Sequence, residues 1–415
     1  PHGARRRSLH GRSHRRLCAR GGGSEDRAAH RRLRTTGRRS SRRDPTRDER
    51  SPPGRPLTAT DRLRWAEVDL GAVRANAARI LEHLPKQTQL IAVVKANGYG
   101  HGATRVTRAA LDGGATRIAV ATLAEARELG GIVPAEHILV MGGMTPDHAS
   151  AAATSGCSIG VWSEEMVYAL SHADEVVPVH LKIDTGMGRF GCQPQDAPKL
   201  ARRINESSAL RLAGTWTHFA SADSDAAMTR HQFDSFTQAI ESLGVDPGLR
   251  HACNSAGARH FPEYALDAVR CGIALYGCQW SGNQPALTLR SVITHLKTVN
   301  RGDTVGYGAT WRAPERSRVA TAAIGYADGV FRIRSNRGEV LIRGNRAPLI
   351  GTVSMDAITL DVTNIEGVEL GDVVTLIGHA GDHRITGEEV ARWSGTISYE
   401  VLTSLGPRVE LHYRD

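Results

Sequence analysis

The stretch LIAVVKANGYGHG, residues 90–102, runs five apolar residues into a lysine and then into Ala, Asn, Gly, Tyr, Gly, His and Gly. A short, unbroken apolar run ending in breakers fits a parallel strand covered on both faces. Such a strand carries one cation, Lys95, to its edge. A lysine held there loses hydration unless it is paired or unprotonated, and a Schiff base removes the charge while using the amine. Taken alone, Lys95 also reads as an ion-paired core lysine.

Outward from this stretch a beat of apolar strand, breaker-rich end and helix repeats. Strands are expected at 90–96, 117–122, 137–142, 157–163, 177–183, 212–220, 249–255 and 268–277, with helical segments such as GATRVTRAALDGG and TRHQFDSFTQAIESLG between them. Eight such units within about 210 residues match a closed (β/α)8 TIM-type barrel better than an open sheet. Lys95, Lys182, His218, Asn254, Ser255 and Arg270 fall in or just past the second half of their strands, the rim where barrel active sites assemble. Ser255 with Gly257, and Gly272 after Arg270, fit a phosphate at the ends of the last two strands.

After about residue 286 short β-branched strands separated by glycine and Asn or Asp turns replace the alternation, as in GEVLIRGNRAPLIGTVSMDAITLDVT. The fold class is therefore α/β: an N-terminal barrel over 63–286 followed by a mainly β C-terminal domain over 287–415. The segment RWAEVDL at 64–70 is a candidate for an additional strand of the second domain.

The formal net charge of +10 over 415 residues suggests nucleic acid until it is located. Residues 1–62 hold 19 arginines, six acids and no lysine, so the remaining chain is slightly acidic. This segment has too few aromatic and β-branched residues to form a core. It reads as a disordered tail lying upstream of the true start, with a basic arm or a targeting peptide as alternatives. No nucleic-acid partner is expected for the folded body. Six cysteines without a CxxC give neither a disulfide framework nor a thiolate metal site, which suits a reducing cytoplasm. No metal is expected, and no run of 18 apolar residues suggests a membrane span.

The motif AVVKANGYGHG at 92–102 resembles the lysine motif of the bacterial alanine racemase family. The resemblance continues for about 350 residues through WAEVDL (65–70), HLKIDTGMGRFG (180–191), THFASAD (217–223), HACNSAG (251–257), VRCGIALYG (269–277), GYGATW (306–311), IGYADG (324–329), GTVSMD (351–356) and SYEVLTSLGPRV (398–409), in family order. It implies a pyridoxal 5'-phosphate enzyme that interconverts L- and D-alanine for peptidoglycan, works in the cytoplasm, and forms a homodimer with shared active sites.

The same resemblance implies that Lys95 carries the cofactor and is one base, with Tyr307 from the other subunit as the second. Tyr307 would connect to His218 and Arg270, with Arg270 facing the pyridine nitrogen. Tyr99, Ser255, Gly272, Ile273 and Tyr399 would hold the phosphate, with Asn254 beside them. Arg189 and Met355 would bind the substrate carboxylate. Lys182, N6-carboxylated, would hold Arg189; as an unmodified amine it would instead pair with Asp184 or another carboxylate. Tyr326 would guard the entrance, with Asp356 as a supporting residue. Gly98 stands where alanine is frequent in the family. A broader-specificity or serine racemase would share nearly all these residues. A non-catalytic cofactor-binding protein would keep the barrel but not Tyr307 in a β domain.

Overall fold

The computed structural model describes residues 62–415. The tail assigned to 1–62 lies outside the described residues except at Arg62, whose Nε is 3.8 Å from Glu410 Oε2. The chain starts with β1 (Arg64–Asp69) and α1 (Leu70–His83), whose first turn is capped by Asp69 Oδ1 accepting from Ala72 N at 2.7 Å.

Eight strands then form one parallel sheet: β2 (Gln89–Val93), β3 (Arg117–Val120), β4 (Ile138–Val140), β5 (Ser158–Val161), β6 (Val177–Lys182), β7 (Leu210–Trp216), β8 (Leu249–His251) and β9 (Ala268–Cys271). Their order is β9, β2 and so on to β8. Two backbone bonds close the gap from β9 to β8: Asp267 N donates to Arg250 O at 3.1 Å, and Arg270 N to Cys253 O at 2.9 Å. The result is the expected barrel, with helices between its strands.

Several strands stop earlier than the sequence suggests. β2 ends at Val93, two residues before Lys95, because Ala96, Asn97, Gly98 and Tyr99 have φ values of +54°, +52°, +62° and +52°. Four successive left-handed residues cannot continue a strand. Asn254 and Ser255 likewise lie beyond β8, with Ser255 opening the short helix Ser255–His260. The chemistry therefore sits in the turns after the strands, where the backbone can aim side chains into the barrel mouth.

The C-terminal sheet grows around β10 (Leu287–Val299). Its first half pairs with Val373–Ala380 and its second with Ser317–Ala322; Ile358–Asp361, Asn345–Ile350 and Glu339–Ile342 complete a closed ring of six strands. β1 falls inside the 63–286 boundary, yet it pairs antiparallel with β10 and parallel with Glu410–Arg414, as the reading of RWAEVDL as an additional strand of the second domain expects. Trp65 lies opposite Arg290 on one side and Glu410 on the other.

A buried carboxylate reinforces this closure. Asp328 accepts from Arg64 Nη1 at 3.1 Å, Arg408 Nε at 2.9 Å, Arg408 Nη2 at 3.1 Å and Gly325 N at 2.9 Å. Removing one member of a buried ion cluster leaves the rest uncompensated, so Asp328→Ala is expected to lower the urea-unfolding free energy by ~3 kcal/mol. Removing Asp356, the exposed partner of the same Arg408, should change it by less than about 1 kcal/mol.

Candidate active site

A cavity of about 400 Å³ opens at the C-terminal end of the barrel. Lys95, Tyr99, Arg189, His218, Asn254, Ser255, Arg270, Gly272, Ile273 and Tyr399 all line it. Thus residues spread over 305 positions of chain meet at one mouth. Lys95 is half-buried, and burial first, then Arg189, hold its amine below the usual lysine range.

At one end, Ser255 Oγ accepts from Gly272 N at 3.1 Å and Ala274 N at 3.4 Å. Asn254 caps the helix after β8, its Oδ1 accepting from Gly257 N at 2.9 Å. A Cβ on Gly272 would lie 2.3 Å from Tyr99 Oη, so glycine is required for the phenol to reach this corner. Tyr99 is stacked on Tyr276 with ring centroids 4.8 Å apart and is 6.0 Å from the Tyr399 ring. Burial raises both cavity phenols, Tyr399 to about 12, so both remain protonated donors.

Lys182 is buried on β6, and its Nζ donates to Phe190 O at 2.5 Å. The alternative pairing with Asp184 is not formed: that carboxylate accepts from the backbone N–H groups of Gly186, Met187 and Gly188. Burial, opposed by Asp184 and aided by Arg270 and Arg189, holds the Lys182 amine down at about 8.

Tyr307, Tyr326, Met355 and Asp356 do not line this cavity. They lie in the C-terminal region, with Tyr307 74% and Met355 51% exposed. Tyr307 occupies a turn after Gly306, and its carbonyl accepts from Thr352 Oγ1 at 2.8 Å. Arg408 Nη1 donates to Asp356 Oδ1 at 2.6 Å. The link expected from Tyr307 to His218 is therefore not made within one chain, whereas the next link, His218 to Arg270, is present.

Arg270 is only 2% exposed and has no carboxylate partner among the described residues. Its Nη1 donates to His251 Nδ1 at 2.7 Å and His251 O at 2.8 Å; its Nη2 reaches Thr217 O at 2.6 Å, Ala252 O at 2.9 Å and His218 Nδ1 at 3.3 Å. Burial lowers Arg270 to about 10, which still leaves it charged near neutrality. Because guanidinium only donates, His251 Nδ1 must accept, leaving the proton on Nε2, which donates to His180 Nδ1 at 2.9 Å. By the same logic His218 keeps its proton on Nε2.

His251, His180 and Glu125 were missed by sequence reasoning. The alternation of His180 with Lys182 on one strand face was the available signal for the second, and the spacing Thr122-x-x-Glu125 for the third. The remaining donor, Arg270 Nε, is buried without a partner among the described residues. An aromatic ring nitrogen carrying a lone pair is a fitting acceptor for it, and the hydroxyl, amide and phenol donors at the opposite end fit a phosphate. The residues present therefore fit pyridoxal phosphate.

The buried histidines make stability depend on pH. Burial holds His180 down at about 3 and His101 at about 4, both below the unfolded value of about 6.5. Their contribution is complete above about pH 6.5 and is lost as pH falls towards the folded values, because the unfolded chain then binds protons that the native chain refuses. Urea unfolding of the wild type should weaken by roughly 1.4 kcal/mol per pH unit for each of them between pH 6.5 and 5. His101→Asn should flatten that slope.

Residues 68–279 match the alanine racemase N-terminal domain family and residues 286–413 the alanine racemase C-terminal domain family. The chain is 41% identical over 367 residues to an alanine racemase of Desulforamulus reducens, covering 84% of this chain and 98% of that one. It is 40% identical over 364 residues to that of Symbiobacterium thermophilum, covering 84% and 96%. Among solved structures, the Bacillus anthracis alanine racemase with bound L-Ala-P superimposes with a TM-score of 0.79 at 36% identity, covering 85% of this chain and 95% of that one. The Bartonella henselae enzyme with covalently bound pyridoxal phosphate gives 0.78 at 28%, covering 85% and 100%. With both domains matched in order and the barrel-mouth cavity built from the same segments as the motifs, this chain belongs to the alanine racemase family.

Proposed function

We propose that this chain interconverts L- and D-alanine with pyridoxal phosphate held in the barrel mouth. The observation that carries this reading is the convergence of Lys95 and a carboxylate-free Arg270 on one cavity, in a chain that matches both alanine racemase domains. When bound, pyridoxal phosphate supplies an electron-accepting ring that eases departure of the substrate α-proton.

Lys95 holds the cofactor and moves a proton at one face. Its depressed amine favours the unprotonated form that such a role needs. Tyr99, Ser255, Gly272, Ile273 and Tyr399 bind the phosphate, while Asn254 fixes the turn beneath it. Arg270, which has only donors to offer, would face the ring nitrogen and would favour its unprotonated form. Arg189 receives the substrate carboxylate. Lys182 lies in a cluster of cations, and an amine at about 8 is substantially neutral near that pH, the form able to take up carbon dioxide. Its N6-carboxylated form presents a negative group to Arg189.

The second face is served by Tyr307 of a second copy. In one chain this side chain is three-quarters exposed, while His218 lines the cavity with an Nε2–H donor to which no phenol among the described residues is hydrogen-bonded. A donor there stabilises the phenolate form that a tyrosine base requires. Met355, also exposed, brings its backbone N–H to the substrate carboxylate, and Tyr326 and Asp356 shape the approach. The unit is therefore a homodimer with shared sites, residues 287–415 of one copy completing the barrel at 63–286 of the other. No helix among the described residues is long and apolar enough to cross a membrane, and the setting proposed is the cytoplasm.

Enantiomer interconversion measured on cofactor-loaded protein should be fast for alanine and much slower for serine. Tyr307→Phe should lose about 10²–10⁴-fold in turnover while the visible cofactor band persists. No interconversion by the loaded wild type would sink the reading. Mixing inactive Tyr307→Phe with inactive Lys95→Ala should restore partial activity, because one site of each mixed dimer regains both bases. Failure to recover any activity in a verified mixed dimer would exclude shared sites.

A further inference from the structure

The turn that presents Lys95 is left-handed through Ala96, Asn97, Gly98 and Tyr99. Only Gly98 adopts this conformation without steric cost, so the other three positions require restraint from their surroundings. Asn97 Oδ1 accepts from Ala103 N at 3.0 Å, and Gly98 N donates to Val94 O at 2.8 Å. The residue directly after the lysine is held by a different strand and helix: Ala96 N donates to Glu125 Oε1 at 2.8 Å. The other oxygen of that carboxylate accepts from Ala121 N at 2.7 Å and Thr122 N at 3.1 Å.

Glu125 thus has two jobs. It forms a capping box with Thr122, whose Oγ1 accepts from Glu125 N at 3.2 Å. Helix capping accounts for the bonds to Ala121 and Thr122. It does not account for the bond to Ala96, which lies 29 positions earlier on a neighbouring strand end. We infer that Glu125 is a positioning residue that fixes the backbone after Lys95 and thereby aims the lysine at the cofactor. This rests on the reading that Lys95 carries pyridoxal phosphate. The carboxylate also acts on the amine through space, opposing the lowering by burial and Arg189. A glutamine cannot replace it, since one of its ends is a donor and would face backbone N–H groups.

The experiment uses full-length, cofactor-loaded protein. Borohydride reduction followed by peptide mapping places the cofactor on Lys95 in the wild type; a label elsewhere would refute the proposed function itself, separately from this inference. Release of the cofactor to hydroxylamine is then followed through the visible band. Glu125→Gln should retain the label on Lys95 yet release the cofactor roughly tenfold faster, the scale of one lost bond to a charged group, with kcat reduced and KM for alanine nearly unchanged. Glu125→Asp keeps a carboxylate at the helix start but is one methylene too short to span both partners, and it should also release faster. Thr122→Ala breaks the capping box without touching the bond to Ala96, so it should lower the melting temperature while leaving the release rate at the wild-type value. Wild-type release rates in both Glu125 variants, or equal acceleration by Thr122→Ala, would overturn the assignment.

Discussion

A guanidinium buried without a countercharge is the constraint around which this site is arranged. Arg270 is stabilised by dipoles: the carbonyls of Thr217, His251 and Ala252 at the ends of adjacent strands, and the lone pairs of two histidines. Parallel strands all end at the same rim, and the carbonyls of Thr217, His251 and Ala252 there supply this negative lining without a carboxylate. A carboxylate there would cancel the charge. The dipoles stabilise it and leave the mouth electropositive, with Arg189 also lining the cavity, as a phosphate and a carboxylate require. The fixed protonation of Arg270 then dictates the tautomers of His218, His251 and His180 in turn.

The second constraint is close packing around the lysine turn. The C-terminal segments press against it from outside the barrel: a Cβ at Gly100 would lie 2.3 Å from Leu402 O, and one at Gly102 would lie 2.0 Å from Tyr413 Oη. Tyr399, in the same helix as Leu402, also lines the cavity. The two regions are thus joined at the reacting end of the barrel. The bond from Glu125 holds the turn on one side, while glycine at 100 and 102 admits the backbone of Leu402 and the phenol of Tyr413 that pack against it.

Much of this was legible from residue pattern. Apolar runs ending in breakers marked most of the barrel strands, because strands covered on both faces have little polar alternation; β8, Leu249–His251, is the weakest case, with Arg and His in its three residues. The turn chemistry was less visible. LIAVVKA reads as a continuous strand, and nothing in the run itself reveals that Ala96 and Asn97 turn left-handed; that conformation depends on Glu125 and Ala103, which are remote or downstream. Motif resemblance located the cavity residues from Lys95 to Tyr399, but the histidines beneath Arg270 escaped because a buried histidine looks like any other until its neighbours are known.

Sequence alone determined the order of elements, the change from alternating to all-β rhythm at about residue 286, and the residue types available to a pyridoxal phosphate site. These follow from local periodicity and from side-chain chemistry, which need no partner. Tertiary structure decided that β1 belongs with β10, that Lys182 bonds to Phe190 rather than Asp184, and that Arg270 is held by carbonyls. It also decided that Tyr307 and Met355 stand apart from the cavity in a single chain. The pairing of β1 with β10 and the carbonyls around Arg270 are contacts between segments distant in sequence, and such contacts exist only when the chain has closed on itself.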